Sequence, residues 1–250
     1  MSAPNVVADD RHRRTSGPRR ALPLGPITFA AVAAAQALGL LTSPPDRDMG
    51  HLQKIMYVHV PAAWSAFICF FVVFVASLDY LWRRDERSDL LAASAAEVGT
   101  VFTALTVVLG SIWGRPTWGV WWTWDARLTS TAVLLVIFAG YLALRSFTDD
   151  PERRARWSAA VGVLGALNVP IVYMSVRWWR TLHQVQSSPS TVDPAYVLSL
   201  RANAVAFLLL LTFLVRRRYQ TAVVERAAER RREDEALSGA IIESHEVARV

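Results

Sequence analysis

The sequence predicts an all-α, polytopic membrane protein. Six transmembrane helices carry a Trp-rich extracytoplasmic loop between the third and the fourth. Three observations predict this fold class. The 250 residues are 53% hydrophobic and 19% charged, whereas a soluble domain carries about 25% charge. The apolar residues fall in long runs, as membrane spans require. The basic residues cluster between those runs unevenly, 20 Lys and Arg on one side of the membrane and 7 on the other. Cytoplasmic segments carry the excess of Lys and Arg, so the side with 20 is cytoplasmic.

Taken in order, residues 1–26 are polar and rich in arginine (Arg11, Arg13, Arg14, Arg19, Arg20), and read as a cytoplasmic tail. The first apolar run, 27–42, is short against the roughly 20 residues that cross a ~30 Å core. A cleaved signal peptide, with A-A-A-Q-A as the cleavage region, is the rival reading and leaves the downstream topology unchanged. Residues 43–60, S-P-P-D-R-D-M-G-H-L-Q-K-I-M-Y-V-H-V, read as a loop, and Pro61 opens a second span over 62–82. A short charged loop at 83–89 leads to the third span, 90–112. Then comes 113–127, W-G-R-P-T-W-G-V-W-W-T-W-D-A-R, where Gly114, Pro116 and Gly119 are expected to break any regular helix. Asp125 is placed to N-cap the fourth span, 126–147. An Arg-rich turn at 148–156 precedes the fifth span, 157–176, which contains Asn168 and Pro170. A loop at 177–194 and a sixth span at 195–215 follow. The charged segment 216–250 reads as a helical cytoplasmic tail with a solvated face or a weak cytoplasmic contact. Three units result: a tail at 1–26, a membrane domain at 27–215 and a tail at 216–250.

Several functions are excluded by composition. The single cysteine, Cys69, allows no disulfide within the chain and no C-x-x-C-H haem-attachment site. Lys54 is the only lysine, so there is no phosphate-binding G-x-x-x-x-G-K-[ST] loop, and any ATP hydrolysis falls to another subunit. The net charge of +6 does not mark a nucleic-acid binder, because its arginines sit where membrane topology needs them.

The chemistry-bearing residues gather on the extracytoplasmic side. Five of the ten tryptophans lie in the Trp-rich stretch: Trp113, Trp118, Trp121, Trp122 and Trp124. Of the five histidines, His12 and His245 lie in the tails, while His51, His59 and His183 share the side of the tryptophans. Imidazole nitrogens are good axial ligands to haem iron and indole faces pack on a porphyrin, so a haem site is conceivable there. Arg115, Arg127, Arg177 and Arg180 are placed to pair with haem propionates. A plainer reading stands beside each residue. Interfacial tryptophans form the aromatic belt of ordinary membrane proteins, and Trp178 and Trp179 suit an anchor for the fifth span. An interfacial histidine is often only a solvated loop residue, and His51, within the polar D-R-D-M-G-H, suits that description. Asp125 as a helix cap has no further duty. Asp79 and Glu97 lie in or near spans, where ionisable groups are functional candidates. Asp79 is close enough to the cytoplasmic end to be solvated, and Glu97 suggests no specific role.

The stretch W-G-R-P-T-W-G-V-W-W-T-W-D-A-R-L-T-S resembles the "WWD" signature of haem-handling proteins in cytochrome c maturation. I-M-Y-V-H-V-P-A-A-W around His59 and N-V-P-I-V-Y-M-S-V-R-W-W-R-T-L-H-Q around His183 resemble one branch of it, the CcmC or haem exporter protein C family. The resemblance covers about residues 27–215. It implies that His59 and His183 are axial ligands to the iron of haem b, held transiently and without covalent attachment. It implies that Trp113, Trp118, Trp121, Trp122, Trp124 and Asp125 form the haem platform. It further implies a CcmE-like haem chaperone and CcmA- and CcmB-like ABC transporter subunits as partners in the cytoplasmic (inner) membrane.

The expected function is therefore to hold haem at the extracytoplasmic face and deliver it to the chaperone, without being an enzyme. Two rivals remain. A haem lyase of the same signature joins haem to apocytochrome, but such proteins are typically larger, with more spans and histidines. A non-haem ABC permease subunit would need a cytoplasmic coupling helix, for which the loops at 83–89 and 148–156 leave little room.

Overall fold

The computed structural model describes residues 24–184 and 191–247. Residues 1–23, with His12, lie outside the described residues, as does the side chain of His245. The helices are α1 (Leu24–Thr42), α2 (Met56–Arg83), α3 (Glu86–Trp118), α4 (Ala126–Phe147), α5 (Pro151–Ala166), α6 (Asn168–Trp178) and α7 (Pro194–Val247). A 3-10 turn, His51–Ile55, leads into α2. Among the described residues six helical stretches are long and apolar enough to cross a membrane, with α5 and α6 together forming the fifth. The chain is thus an all-α, multi-pass membrane protein, and among the described residues its only β-pairing is the isolated bridge Asp46–Gly50.

The helix starts follow local chemistry. Asp85 caps α3 through Arg87 N, Asp125 caps α4 through Leu128 N, and Asp150 caps α5 through Glu152 N and Arg153 N, each satisfying amides that no turn of helix can reach.

Helices α1, α3 and α5 begin earlier than the sequence reading, at Leu24, Glu86 and Pro151, the last inside the expected turn 148–156, and three further differences fall at prolines within a span. Helix α2 begins at Met56, so Pro61 lies inside it and His59 sits on its first turn and not in a loop. Proline has no N–H for the Tyr57 carbonyl, but Gln36 Nε2 on α1 donates to that oxygen at 3.4 Å. Helix α3 runs on through Gly114 and Pro116 to Trp118, so residues 113–118 of the expected loop are helical. The Trp118 ring packs over Gly114, where an added Cβ would stand 3.1 Å from its Cε3. The turn away from the axis comes at Gly119, whose φ of 79° suits glycine and whose N–H returns to the Arg115 carbonyl at 3.0 Å. The fifth span breaks at Leu167, because Pro170 cannot donate to the Ala166 carbonyl. Asn168 Nδ2 secures the break by donating to the Ser130 carbonyl of α4 at 2.9 Å.

The core lies between α2, α3 and α4. Phe70 and Phe138 stack with centroids 3.8 Å apart. Small residues let α3 approach α2 closely: an added Cβ at Gly99 would fall 2.8 Å from Cys69 Cβ. A buried polar seam ties α1 and α7 to α2. Gln36 donates to Asn203 Oδ1 at 2.7 Å, Tyr57 donates to Ser43 Oγ at 2.6 Å, and Ser43 donates to Ser199 Oγ at 3.1 Å.

At the end of the bundle far from the 113–124 tryptophans, Arg145 meets Asp89 in a two-point contact of 2.6 and 2.9 Å. Helix α7 continues unbroken past residue 215, and its charged part is ion-paired to the bundle: Arg218 with Glu97, Arg226 and Arg230 with Glu86, and Glu229 with Arg154. Glu97 therefore has a structural partner. Asp79 accepts from Ser88 Oγ at 2.5 Å and pairs with Arg83 at 3.3 Å.

Candidate functional site

A cavity with about 160 Å³ of room for water-sized spheres lies at the Trp-bearing end between α2, α3, α4 and the segment after α6. Both His59 and His183 line it, together with Trp113, Trp118, Trp122 and Arg127. Its floor is apolar. The Thr103, Thr106 and Thr131 hydroxyls among its lining residues donate to carbonyls of their own helices at 2.7–2.8 Å, so these donors are used within the helices.

His59 is buried on the first turn of α2, edge-on to the Trp113 ring with centroids 5.8 Å apart and planes at 80°. One turn before Trp113 on α3 stands Gly110, where an added Cβ would meet His59 Cε1 at 3.1 Å. The His59 Nδ1 is buried without a hydrogen bond of normal geometry. His183 is half-buried beside Trp118, with centroids 6.3 Å apart. Its Nδ1 lies 2.8 Å from the Gln184 carbonyl. A proton on Nδ1 donated there leaves the lone pair on Nε2, the arrangement that orients a metal-binding imidazole. Burial holds His183 below the usual histidine range, and the nearby positive charge of Arg127 acts in the same direction. The neutral, coordinating form is therefore favoured.

Asp125 links two of these elements. Its Oδ1 caps α4 through Leu128 N at 2.9 Å, while Oδ2 accepts from Leu182 N at 2.9 Å, next to His183. Thus Asp125 is more than a cap: it moors the His183 segment to the start of α4.

The remaining candidates divide. Trp121 and Trp124, 59% and 80% exposed, do not line the cavity, and Trp124 packs edge-on behind Trp122. Of the four arginines, only Arg127 lines the cavity. Its Nη1 donates to the Val172 carbonyl of α6 at 2.6 Å and lies 3.4 Å from the Tyr173 carbonyl, and a guanidinium has five N–H donors in all. Arg115 is exposed and turned back on the Gly119 carbonyl, and Arg177 and Arg180 are exposed outside the cavity. His51 is exposed and likewise outside. Sequence reasoning missed Met49, Gly110 and Gln184, all of which line the cavity. Met49 carries a weak local signal, an apolar side chain inside a polar turn. Gly110 carries none, since its role is visible only once α2 is packed against it.

Among the described residues no group of three or more His, Cys, Asp or Glu could hold a bare metal ion. Two imidazoles facing one apolar cavity instead suit an iron whose other positions are filled by a macrocycle.

The family model for CcmC, Heme exporter protein C, matches residues 10–234. The chain is 42% identical to the Heme exporter protein C of Bradyrhizobium diazoefficiens over 196 residues, covering 76% of this chain and 74% of that protein. It is 38% identical to the Escherichia coli K12 protein of that name over 206 residues, covering 79% and 84%. It is 32% identical to the Haemophilus influenzae one over 209 residues, covering 82% and 85%. With most of its length matched by the family model, this chain belongs to the CcmC, or haem exporter protein C, family.

Proposed function

We propose that this protein holds haem b, transiently and without a covalent bond, in the cavity at its Trp-bearing end, and delivers it to a CcmE-like chaperone. CcmA- and CcmB-like ABC transporter subunits are its partners, and it is not itself an enzyme. The observation that carries the reading is the meeting of His59 and His183, from distant parts of the chain, on one apolar cavity walled by tryptophan. His59 Nε2 and His183 Nε2 are the ligand atoms, approaching the iron from opposite faces. Trp113, Trp118 and Trp122 supply apolar and π contact to the ring. Arg127 is the propionate partner, since its side chain alone among the four candidate arginines lines the cavity. Delivery requires one histidine to let go. His183 is the better placed to do so, being half-buried on a segment outside the helices, whereas His59 is enclosed on α2.

The family's membership in haem handling for cytochrome c maturation supports this reading, and the arginine distribution supports a cytoplasmic (inner) membrane location with both termini inside and the cavity outside. Reporter fusions after Val120 should be active in the periplasm and fusions after Arg87 or Arg154 inactive; the reverse pattern would refute the orientation.

The decisive experiment is the absorption spectrum of the purified protein. Two imidazoles give six-coordinate, low-spin iron with sharp, split visible bands on reduction. His59→Ala or His183→Ala should lose that signature and much of the haem, and exogenous imidazole should restore it. His51→Ala should behave as wild type. Wild-type spectra from both single variants would rule out axial ligation by these histidines.

A further inference from the structure

Met49 stands at the rim of the cavity in a turn built to present it. Asp46 and Gly50 exchange backbone hydrogen bonds of 3.0 Å, and Asp46 Oδ1 accepts from the Asp48 and Met49 amides at 3.0 Å each. Gly50 closes the turn with φ 56°, a left-handed conformation that favours glycine. The Met49 side chain leaves this turn toward the last turns of α3. There its Sδ accepts from Trp113 Nε1 at 3.3 Å and lies 3.7 Å from Thr117 Oγ1. The single Thr117 hydroxyl proton has a better acceptor in the Trp113 carbonyl, 2.8 Å away. The indole N–H is therefore the donor that Met49 holds.

That indole is one wall of the His59 site. It meets the imidazole edge-on at 5.8 Å, and one turn earlier on α3 the imidazole lies so close to Gly110 that an added Cβ there would stand 3.1 Å from His59 Cε1. His59 Nδ1 makes no hydrogen bond of normal geometry, and the backbone group that bears on the imidazole is the Thr106 carbonyl of the same α3 wall. The plane of the imidazole is thus set by its walls, and the Trp113 wall is set by Met49. Thioether sulfur is a weak acceptor, but it is polarisable and packs well against aromatic rings.

We propose that Met49 is a positioning residue for haem ligation: its thioether fixes the Trp113 indole, and the indole fixes the plane of the His59 imidazole. The proposal rests on His59 being an axial ligand. Loss of the acceptor frees the indole, lets the imidazole sample more orientations and loosens the grip on haem. The expected effect is a haem loss roughly threefold to tenfold faster, the range of one ordinary hydrogen bond.

The test uses the full chain in detergent with two variants. Met49→Leu keeps apolar bulk and removes the acceptor; Met49→Gln supplies a carbonyl oxygen at similar reach. The first readout needs no haem: hydrogen exchange at the Trp113 indole N–H in protein labelled with 15N-tryptophan, its signal assigned by Trp113→Phe. Exchange should quicken in Met49→Leu and return toward wild type in Met49→Gln. The second readout is the ferric low-spin electron paramagnetic resonance signal, with the rate of haem loss to apomyoglobin. Met49→Leu should broaden the signal and speed the loss, and Met49→Gln should restore both. Unchanged indole exchange in Met49→Leu would overturn the Met49–Trp113 link. Faster exchange with an unchanged signal and loss rate would overturn the link from Trp113 to His59, and with it the positioning role. A wild-type protein without a bis-histidine signal would instead overturn the ligand reading itself, and the proposal built on it.

Discussion

Asp125 offers the sharpest test of how this site is assembled, because its two carboxylate oxygens perform different tasks. Oδ1 caps α4 and Oδ2 moors the His183 segment through Leu182 N. Asp125→Ala removes both. Loss of an N-cap costs about 1 kcal/mol, and loss of a hydrogen bond to a charged acceptor costs about 1.5–3 kcal/mol, together about 2.5–4 kcal/mol. Asp125→Asn separates the two tasks. Asparagine caps as well as aspartate, so its one carbonyl oxygen can stay on Leu128 N. Its amide NH₂ then faces Leu182 N–H, donor against donor. The cap survives and the mooring is lost, and a 1.5–3 kcal/mol loss frees the His183 segment by roughly tenfold to a hundredfold. Asp150→Ala is the control, since Asp150 caps α5 at the other end of the bundle. The assay is thermal unfolding in detergent, alongside haem content and spectrum after gel filtration. Asp125→Asn should unfold at a higher temperature than Asp125→Ala, by the cap of about 1 kcal/mol that it keeps, yet lose haem and low-spin character as Asp125→Ala does. Asp150→Ala should unfold earlier and keep its haem. Equal haem retention in Asp125→Asn and wild type would refute the mooring argument.

Other substitutions probe the walls and the frame. Gly110→Ala places a methyl 3.1 Å from His59 Cε1; haem content should fall with little change in unfolding temperature, and normal loading would show that His59 has room to move. Replacing Trp118 and Trp122 together with Ala should weaken haem retention, whereas replacing the exposed Trp121 and Trp124 should not; equal losses would mean that cavity lining does not define the platform. Asp89→Asn leaves Arg145, whose side chain is 14% exposed, without its partner. A broken buried pair costs about 3–5 kcal/mol, read as a lowered unfolding temperature, while any bound haem keeps its spectrum because the pair lies at the far end. Pairing Asp89→Leu with Arg145→Met should recover most of the loss.

The spans were legible in the sequence because membrane crossing depends on run length and hydropathy, which are properties of a single line of residues. The cap at Asp125 was of the same local kind, since a cap reaches only two or three residues onward. The ends of α2 and α3 were not legible. Pro61 reads locally as a helix start, yet Gln36 on another helix satisfies the carbonyl it leaves open. Gly114 and Pro116 read as breakers, yet the Trp118 ring packs over the first and the real turn waits for Gly119. That turn also sorts the tryptophans, leaving Trp118 and Trp122 on the cavity and Trp121 and Trp124 outside it. The four arginines looked alike in sequence. Only Arg127 begins a helix packed against α6, and that contact carries it to the cavity wall.

The chain by itself thus determined six crossings, the uneven arginines, a tryptophan-rich stretch and the histidine motifs of its family, all written in composition, spacing and order. Only the tertiary structure decided that His59 and His183 face one cavity, that Asp125 joins two segments, and that Met49 reaches Trp113. Those relations hold between residues far apart in the chain. Close packing of α2, α3 and α4 creates them, and such packing leaves no period or spacing along the sequence from which to read it.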